Sequence, residues 1–269
     1  MGKINEIRIA VRGGGDLATG VVQKLFRSGF KVVILETDYP LMIRRTVSLG
    51  VAVFEHQVQV EGMEAVLTKV ENIEKVWSEQ KIPVIVDPLA ENLASINPHV
   101  VVDCIIAKRN LGMSKKLAPI TIALGPGFRA SKDVDVVIET MRGHSLGKLI
   151  FSGEAIPNTG VPGELAGKSH ERVIHAPTSG KVKHKKDIGD QVEKGDCLFL
   201  IDDFEVFSPL SGTLRGLIAE GTVVTQGLKV ADVDPRANVD CWSISDKARS
   251  LGGAVLEAVL YVGNQRGIF

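Results

Sequence analysis

Apolar positions along this chain follow two rhythms. In roughly the first 110 residues they come as short continuous Val/Ile-rich runs at Ile7–Val11, Lys31–Leu35, Val51–Phe54, Ile82–Val86 and Val100–Ile106. Unbroken runs of that length suit strands buried on both faces of a parallel sheet. Between them, Leu17–Arg27, Ile43–Leu49 and Met63–Lys81 read as helices. Strand–helix alternation predicts an α/β fold, a Rossmann-like doubly wound and mostly parallel sheet. The middle of the chain changes character. Pro119–Leu124 reads as a strand, and Asp135–Met141 and Leu146–Ser152 as a strand pair joined by a glycine-bearing turn. Gly153–Glu164 is rich in Gly and Pro and reads as a linker or a rigid loop beside a site.

The second rhythm is an internal repeat. Residues 176–201 recur at 208–233 with an offset of 32. Pro177, Ser179 and Gly180 match Pro209, Ser211 and Gly212; Gly189, Val192 and Gly195 match Gly221, Val224 and Gly227. Glycines mark turns and the alternating apolar residues mark short strands, so two halves close into a small β-sandwich. Its pattern resembles the biotinyl/lipoyl carrier fold, a barrel-sandwich hybrid. The link between the halves, Asp202–Phe207, lacks the modifiable lysine, so no biotin or lipoate attachment is expected. The tail pattern, with Ala248, Leu251, Val255, Leu256 and Val259 at helical spacing, predicts a helix over Lys247–Leu260 behind a Ser243–Asp246 cap. The expected domains are residues 1–165, nucleotide-binding; 172–235, sandwich; and 236–269, a helix packing back on the body.

The stretch Arg12-Gly-Gly-Gly-Asp-Leu-Ala-Thr-Gly20 lies between a strand and a helix, where glycines can cradle a phosphate at a helix N-terminus. Gly13-x-Gly15-x-x-Ala18 fits a dinucleotide fingerprint, and Glu36, about 20 residues on, stands where a ribose-binding acid is expected. Asp16 beside Gly13, Gly14 and Gly15 repels phosphate unless it points away or caps the helix. Arg44 and Arg45 follow the second strand, where arginine can accept a 2′-phosphate. Asp87, Asp103 and Lys108–Asn110 cluster after strand ends, the edge at which open parallel sheets bind ligands. Gly125 and Gly127, with Phe128, offer backbone amides to an anion. Glu139, Arg142 and His144 offer acid–base groups, and Lys108 or His144 would be the proton donor of an oxidoreductase.

Composition narrows the classes. Lys+Arg and Asp+Glu are both 32, so no basic excess points to nucleic acid. The basic run Lys181–Lys186 reads as a solvated turn face. Cys104, Cys197 and Cys241 form no CxxC pair, so no metal site and no disulfide framework is expected. No signal peptide and no membrane-length apolar run are read, which leads to the expectation of a soluble, cytoplasmic protein.

Taken together, the glycine loop, Pro40 with Ile43–Val47, Gly125–Phe128, Glu139–His144, Asn158–Gly160 with Pro162–Gly163, and the carrier-like repeat resemble a bacterial family: the selenium-dependent molybdenum hydroxylase system proteins of the YqeB type, themselves similar to XdhC-type cofactor maturation factors. The resemblance implies an accessory function in maturing a client molybdenum hydroxylase. On that reading the glycine cradle binds the molybdenum–pterin dinucleotide, Gly125–Phe128 and Arg142–His144 lie near its pterin end, and Cys104 carries sulfur or selenium unless it is a core cysteine. The alternatives are an NAD(P)-dependent oxidoreductase and a non-catalytic docking scaffold. Whether the chain is catalytic, and whether it forms a homo-oligomer, stay open.

Overall fold

A computed structural model describes residues 4–160 and 166–268. Pro162–Gly163 and the end of the Gly/Pro-rich segment therefore lie outside the described residues. The chain forms two compact units. One comprises Met1–Pro40, Ser48–Asn158 and Ile244–Phe269; the other comprises Leu41–Val47 and Thr159–Ser243. This division differs from the expected 1–165, 172–235 and 236–269. The C-terminal helix belongs to the first unit, and the segment carrying Arg44 and Arg45 belongs to the second.

The first unit contains β1 (Arg8–Arg12), α1 (Asp16–Arg27), β2 (Lys31–Glu36), α2 (Ala52–Glu55), β3 (Gln57–Val60), β4 (Met63–Leu67), α3 (Ile73–Ser78), β5 (Ile82–Val86), α4 (Leu93–Ile96), β6 (Val100–Asp103), β7 (Ile120–Leu124), β8 (Arg129–Ala130), β9 (Val136–Ile138), β10 (Leu149–Ile150), β11 (Gly153–Glu154) and α5 (Asp246–Gln265). Nine strands form one sheet in the order β10-β9-β7-β6-β1-β2-β5-β4-β3. Its interior pairs are parallel, while β3 with β4 and β10 with β9 run antiparallel. Strands β8 and β11 pair separately.

The sheet is thus mixed, and this corrects the expected Rossmann-like doubly wound architecture. No helix connects β6 to β7 or β7 to β9. The expected helix over Met63–Lys81 is half strand. Glu61 and Gly62 both take positive φ, 46° and 80°, between the paired residues Val60 and Met63. That is the two-residue turn whose twist matches an antiparallel hairpin, so the chain folds back as β3–β4 before any helix begins. The expected strand Val51–Phe54 is instead helical, since a four-residue apolar run does not by itself distinguish the two states. The expected helix Ile43–Leu49 is reduced to a 3₁₀ turn at Arg45–Val47.

One sheet face packs Ala10, Val33, Leu35, Ile85, Val101, Ala123 and Val137 with Ile73, Leu93, Ile96 and Phe128. Strand alternation sends Ile9, Val11 and Ile34, all buried, to the other face. Helices α1 and α5 pack tightly against each other, α1 beside β2 and α5 beside β7 and β9. Their crossing is set by Gly20 and Gly252. A Cβ on Gly20 would stand 2.5 Å from the Ala248 carbonyl carbon, and one on Gly252 2.8 Å from the Gly20 carbonyl carbon. Side chains there would hold the two backbones apart.

The second unit holds β12 (Val173–His175), β13 (Gly180–His184), β14 (Gln191–Val192), β15 (Cys197–Ile201), β16 (Phe204–Phe207), β17 (Gly212–Leu217), β18 (Val223–Val224) and β19 (Lys229–Asp234). They form two antiparallel four-stranded sheets, β12-β19-β17-β14 and β16-β15-β13-β18. The 32-residue repeat is visible strand by strand, because β13, β14 and β15 match β17, β18 and β19. Each half lends its short strand to the other: β13 pairs with β18 and β17 with β14. Leu198, Phe199, Ile201, Leu214, Val230 and Val233 fill the core.

Candidate functional site

The loop after β1 carries the strongest sequence signal, and most of it is closed. The Gly14 N–H donates to Glu36 Oε1 at 2.7 Å, and the Gly14 carbonyl accepts from the Gly50 N–H at 2.8 Å. A Cβ on Gly14 would stand 2.7 Å from the Gly50 backbone. Glycine is required here because a second stretch of backbone, not a ligand, approaches. The other Glu36 oxygen accepts the Thr37 N–H at 2.8 Å. Burial raises the Glu36 pKa, with the Gly14 and Thr37 donors opposing it. The Gly13 N–H is likewise spent, on the Leu35 carbonyl.

Only the Gly15 end is open. Gly15 is the N-cap of α1, and among the described residues no side-chain cap hydrogen bond is made there and nothing lies within 4 Å of where its Cβ would be. The first N–H groups of a helix and its dipole favour an anion. Asp16 is partly exposed at this terminus.

Three other segments reach this edge of the sheet. The first follows β6. Asp103 is buried, 3.3 Å from the buried Arg12 guanidinium, and its other oxygen accepts the Ile105 N–H. Burial raises the Asp103 pKa, with Arg12 and Ile105 opposing. The sequence-expected strand through Ile106 stops at Asp103 because the carboxylate takes the Ile105 N–H. Beyond it, Ile106 and Lys108 hold φ of 59° and 61°. Positive φ in a β-branched residue is strained backbone, of a kind that clusters at functional sites. A Cβ on Gly127 would meet the Lys108–Arg109 peptide at 2.5 Å, so the Gly125–Phe128 loop is a buttress for this strained loop. Lys108 and Arg109 are exposed, while Phe128 is core. Cys104 is buried, and burial and then Asp103 push its thiol well up, away from the thiolate that sulfur chemistry needs.

The second segment follows β9. Glu139 is buried, and its two oxygens accept the Met141 and Ile156 N–H groups, each at 2.7 Å. Arg142 pairs with Asp246 through two hydrogen bonds of 2.7 and 3.1 Å. His144 is exposed on the adjoining turn.

The third is the start of α5, where Ser245 Oγ accepts the Ala248 N–H at 3.2 Å. Lys247 follows. Its pKa is lowered by burial first and then by Arg142, while Asp16, Glu139 and Asp246 pull the other way. The sequence reading missed Lys247. A signal was present: a lysine in the first turn of a helix sits at the positive end of the dipole, against the usual preference.

Asp16, Glu139 and Arg142 thus all act electrostatically on Lys247, and Gly15 adjoins Asp16 at the start of α1. The structure places Gly13, Gly14, Glu36, Asp103 and Gly125 in supporting contacts. Asp87 closes a turn, accepting the Glu91 and Asn92 N–H groups at 2.8 and 2.9 Å. Arg44 and Arg45 fold with the second unit, where Arg45 donates to the Leu217 carbonyl and pairs with Asp187. Among the described residues no group of three or more His, Cys, Asp or Glu side chains could hold a metal ion, and no helix is long and apolar enough to cross a membrane.

No known family profile matches the chain. It is 46% identical over 259 residues to the uncharacterized protein YqeB of Escherichia coli strain K12, an alignment covering 96% of this chain and 48% of that protein. The two are homologues. The chain spans about half the length of this relative. Solved structures give weaker likenesses. "TcdA (CsdL)" is 13% identical, with 99% of this chain and 90% of that chain covered and a TM-score of 0.39. An aspartoacylase family protein from Mesorhizobium loti is 11% identical, with 84% of each chain covered and a TM-score of 0.26. A succinylglutamate desuccinylase from Silicibacter gives the same identity, coverage and score.

These findings correct the functional expectation. The chain is a homologue of YqeB, as the resemblance implied, and neither this uncharacterized relative nor the solved structures carry a molybdenum, selenium, Rossmann or biotinyl/lipoyl assignment. The glycine loop explains why the residue-level reading led elsewhere. Its fingerprint matches in spacing, but the Leu35 carbonyl and the Glu36 carboxylate have taken the Gly13 and Gly14 N–H groups that a pyrophosphate would use. The molybdenum hydroxylase accessory role, the NAD(P)-dependent oxidoreductase and the docking scaffold are set aside.

Proposed function

We propose that this protein binds a small molecule through a single anionic group, a carboxylate or phosphate monoester, held at the N-terminus of α1. The observation that carries this reading is the packing of α1 on α5, Gly20 against Ala248, which sets the partly buried Lys247 in the first turn of α5 beside the start of α1, with Arg142 and the carboxylates of Asp16, Glu139 and Asp246 acting on it electrostatically. Lys247 loses hydration by burial and gains nothing from its own helix dipole. An anion at the uncapped α1 terminus would compensate both. A compact anion fits better than a pyrophosphate, because the Gly13 and Gly14 N–H groups are already spent.

Thermal unfolding with inorganic phosphate, at matched ionic strength, tests this. A ligand at ten times its Kd stabilises the folded state by about 1.4 kcal/mol through mass action. The expected result is a rise in Tm that Lys247→Ala abolishes. No rise at about 10 mM phosphate, or an equal rise in Lys247→Ala, would overturn the reading, since millimolar affinity is the least such a site supplies.

A further inference from the structure

An open groove lies elsewhere on the carboxyl edge of the sheet and uses none of these residues. It occupies about 740 Å³ beyond the ends of β4 and β5 and is lined by Leu67, Thr68, Val70, Asn72, Ile85, Val86 and Asn92, with Lys69 and Glu71 also at its wall. Its size is within the roughly 300–1,000 Å³ of small-molecule sites.

Three features narrow the occupant. Val86 ends β5 yet is 41% exposed, directly after the buried Ile85, so an apolar surface is turned toward the groove and left to water. Lys69 and Glu71 bring one charge of each sign, which favours a neutral ligand over an ion. Asn72 and Asn92 bring two carboxamides, each pairing a donor with an acceptor. The turn that delivers Asn92 is fixed, because both Asp87 oxygens hold its backbone. Asp87 thereby acts as a positioning residue for this groove. Apolar walls with carboxamides suit a planar ring whose edge itself alternates donors and acceptors, as asparagine matches a nucleobase edge. A sugar would satisfy the amides but waste the apolar walls.

We infer that this groove binds a neutral, amide-edged heteroaromatic ring of the nucleobase class, laid against Val86 and Leu67 and read by Asn72 and Asn92. Saturation-transfer NMR followed by titration calorimetry on the full chain, with adenosine, guanosine, cytidine, uridine and glucose as probes, tests it. At least one nucleoside is expected to bind at a Kd on the order of 1 mM or tighter, and glucose is not. Val86→Asp, at a solvent-exposed position, is expected to weaken binding about tenfold or more by wetting the apolar wall. Asn72→Ala and Asn92→Ala are expected to change which nucleoside is preferred. Circular dichroism confirms that each variant is folded. Failure of every nucleoside to bind at several millimolar, equal binding of glucose, or binding unchanged by Val86→Asp would each overturn the inference. None of these outcomes bears on Lys247, so this site and the anion site stand or fall separately.

Discussion

The crossing of α1 and α5 allows a prediction whose sign is informative. Alanine is a better helix former than glycine by up to about 1 kcal/mol, so Gly→Ala at an unobstructed helical position stabilises. Gly253 is such a position, exposed and with nothing within 4 Å of its Cβ site. Its neighbour Gly252 and the facing Gly20 are not. A Cβ at Gly20 stands 2.5 Å from a carbonyl carbon, against the 3.4 Å at which ordinary contact begins, so the helices must part by about 1 Å. Overpacking of this kind costs about 1–3 kcal/mol, and the obstructing atoms are backbone, which cannot rotate away. Net of propensity, Gly20→Ala and Gly252→Ala are each expected to destabilise by about 1–2 kcal/mol, and Gly253→Ala to stabilise by about 0.5–1 kcal/mol. The double variant should cost less than the two singles together, because one separation relieves both clashes. Urea unfolding is the assay. The chain has two tryptophans, so a Trp242→Phe background leaves Trp77, in the first unit, as sole reporter. Stabilisation by all three alanines would refute the close crossing.

Substitutions at two further positions test the first unit at other points. Burial raises the Asp135 pKa, but hydrogen bonds from Arg266, the Thr121 N–H and Lys115 outweigh it and leave it lowered. A carboxylate depressed on folding contributes stability that is present above its unfolded pKa and is lost as pH falls through the folded one. Asp135→Asn should therefore flatten the loss of stability below about pH 4, measured by urea unfolding across pH 2.5–7, and an unchanged slope would contradict the assignment. Ser245→Ala removes the cap of α5 and should cost about 1 kcal/mol in the same assay, while Ser245→Asp should retain most of it.

Much of the chain was legible where local pattern and tertiary context agree. The strands at Ile7–Val11, Lys31–Leu35 and Ile82–Val86 are unbroken apolar runs, and burial on both faces leaves such runs few alternatives. The 32-residue repeat was readable because its glycines and apolar residues serve the same turns and strands twice. The β3–β4 hairpin was not, because Glu61-Gly62 is a weaker turn signal than Asn-Gly and the residues after it also suit a helix. At the site, Gly14 looked like a phosphate contact because glycine marks close approach without saying what approaches. Lys247 escaped notice because its neighbours come from distant segments, which no spacing rule connects.

The first unit is assembled from three separate stretches, with Thr159–Ser243 interposed before its last helix. Synthesis from the N-terminus imposes an order on this arrangement. The interposed unit is almost continuous in sequence, whereas α1 waits for α5 through the whole of its translation. During that interval Gly20, Val21 and Val22, buried in the finished protein, lack their closing partner. Contacts of such long sequence separation form late and leave apolar surface exposed meanwhile. Until α5 emerges from the ribosome, the nascent chain therefore carries this face of α1 without the helix that covers it.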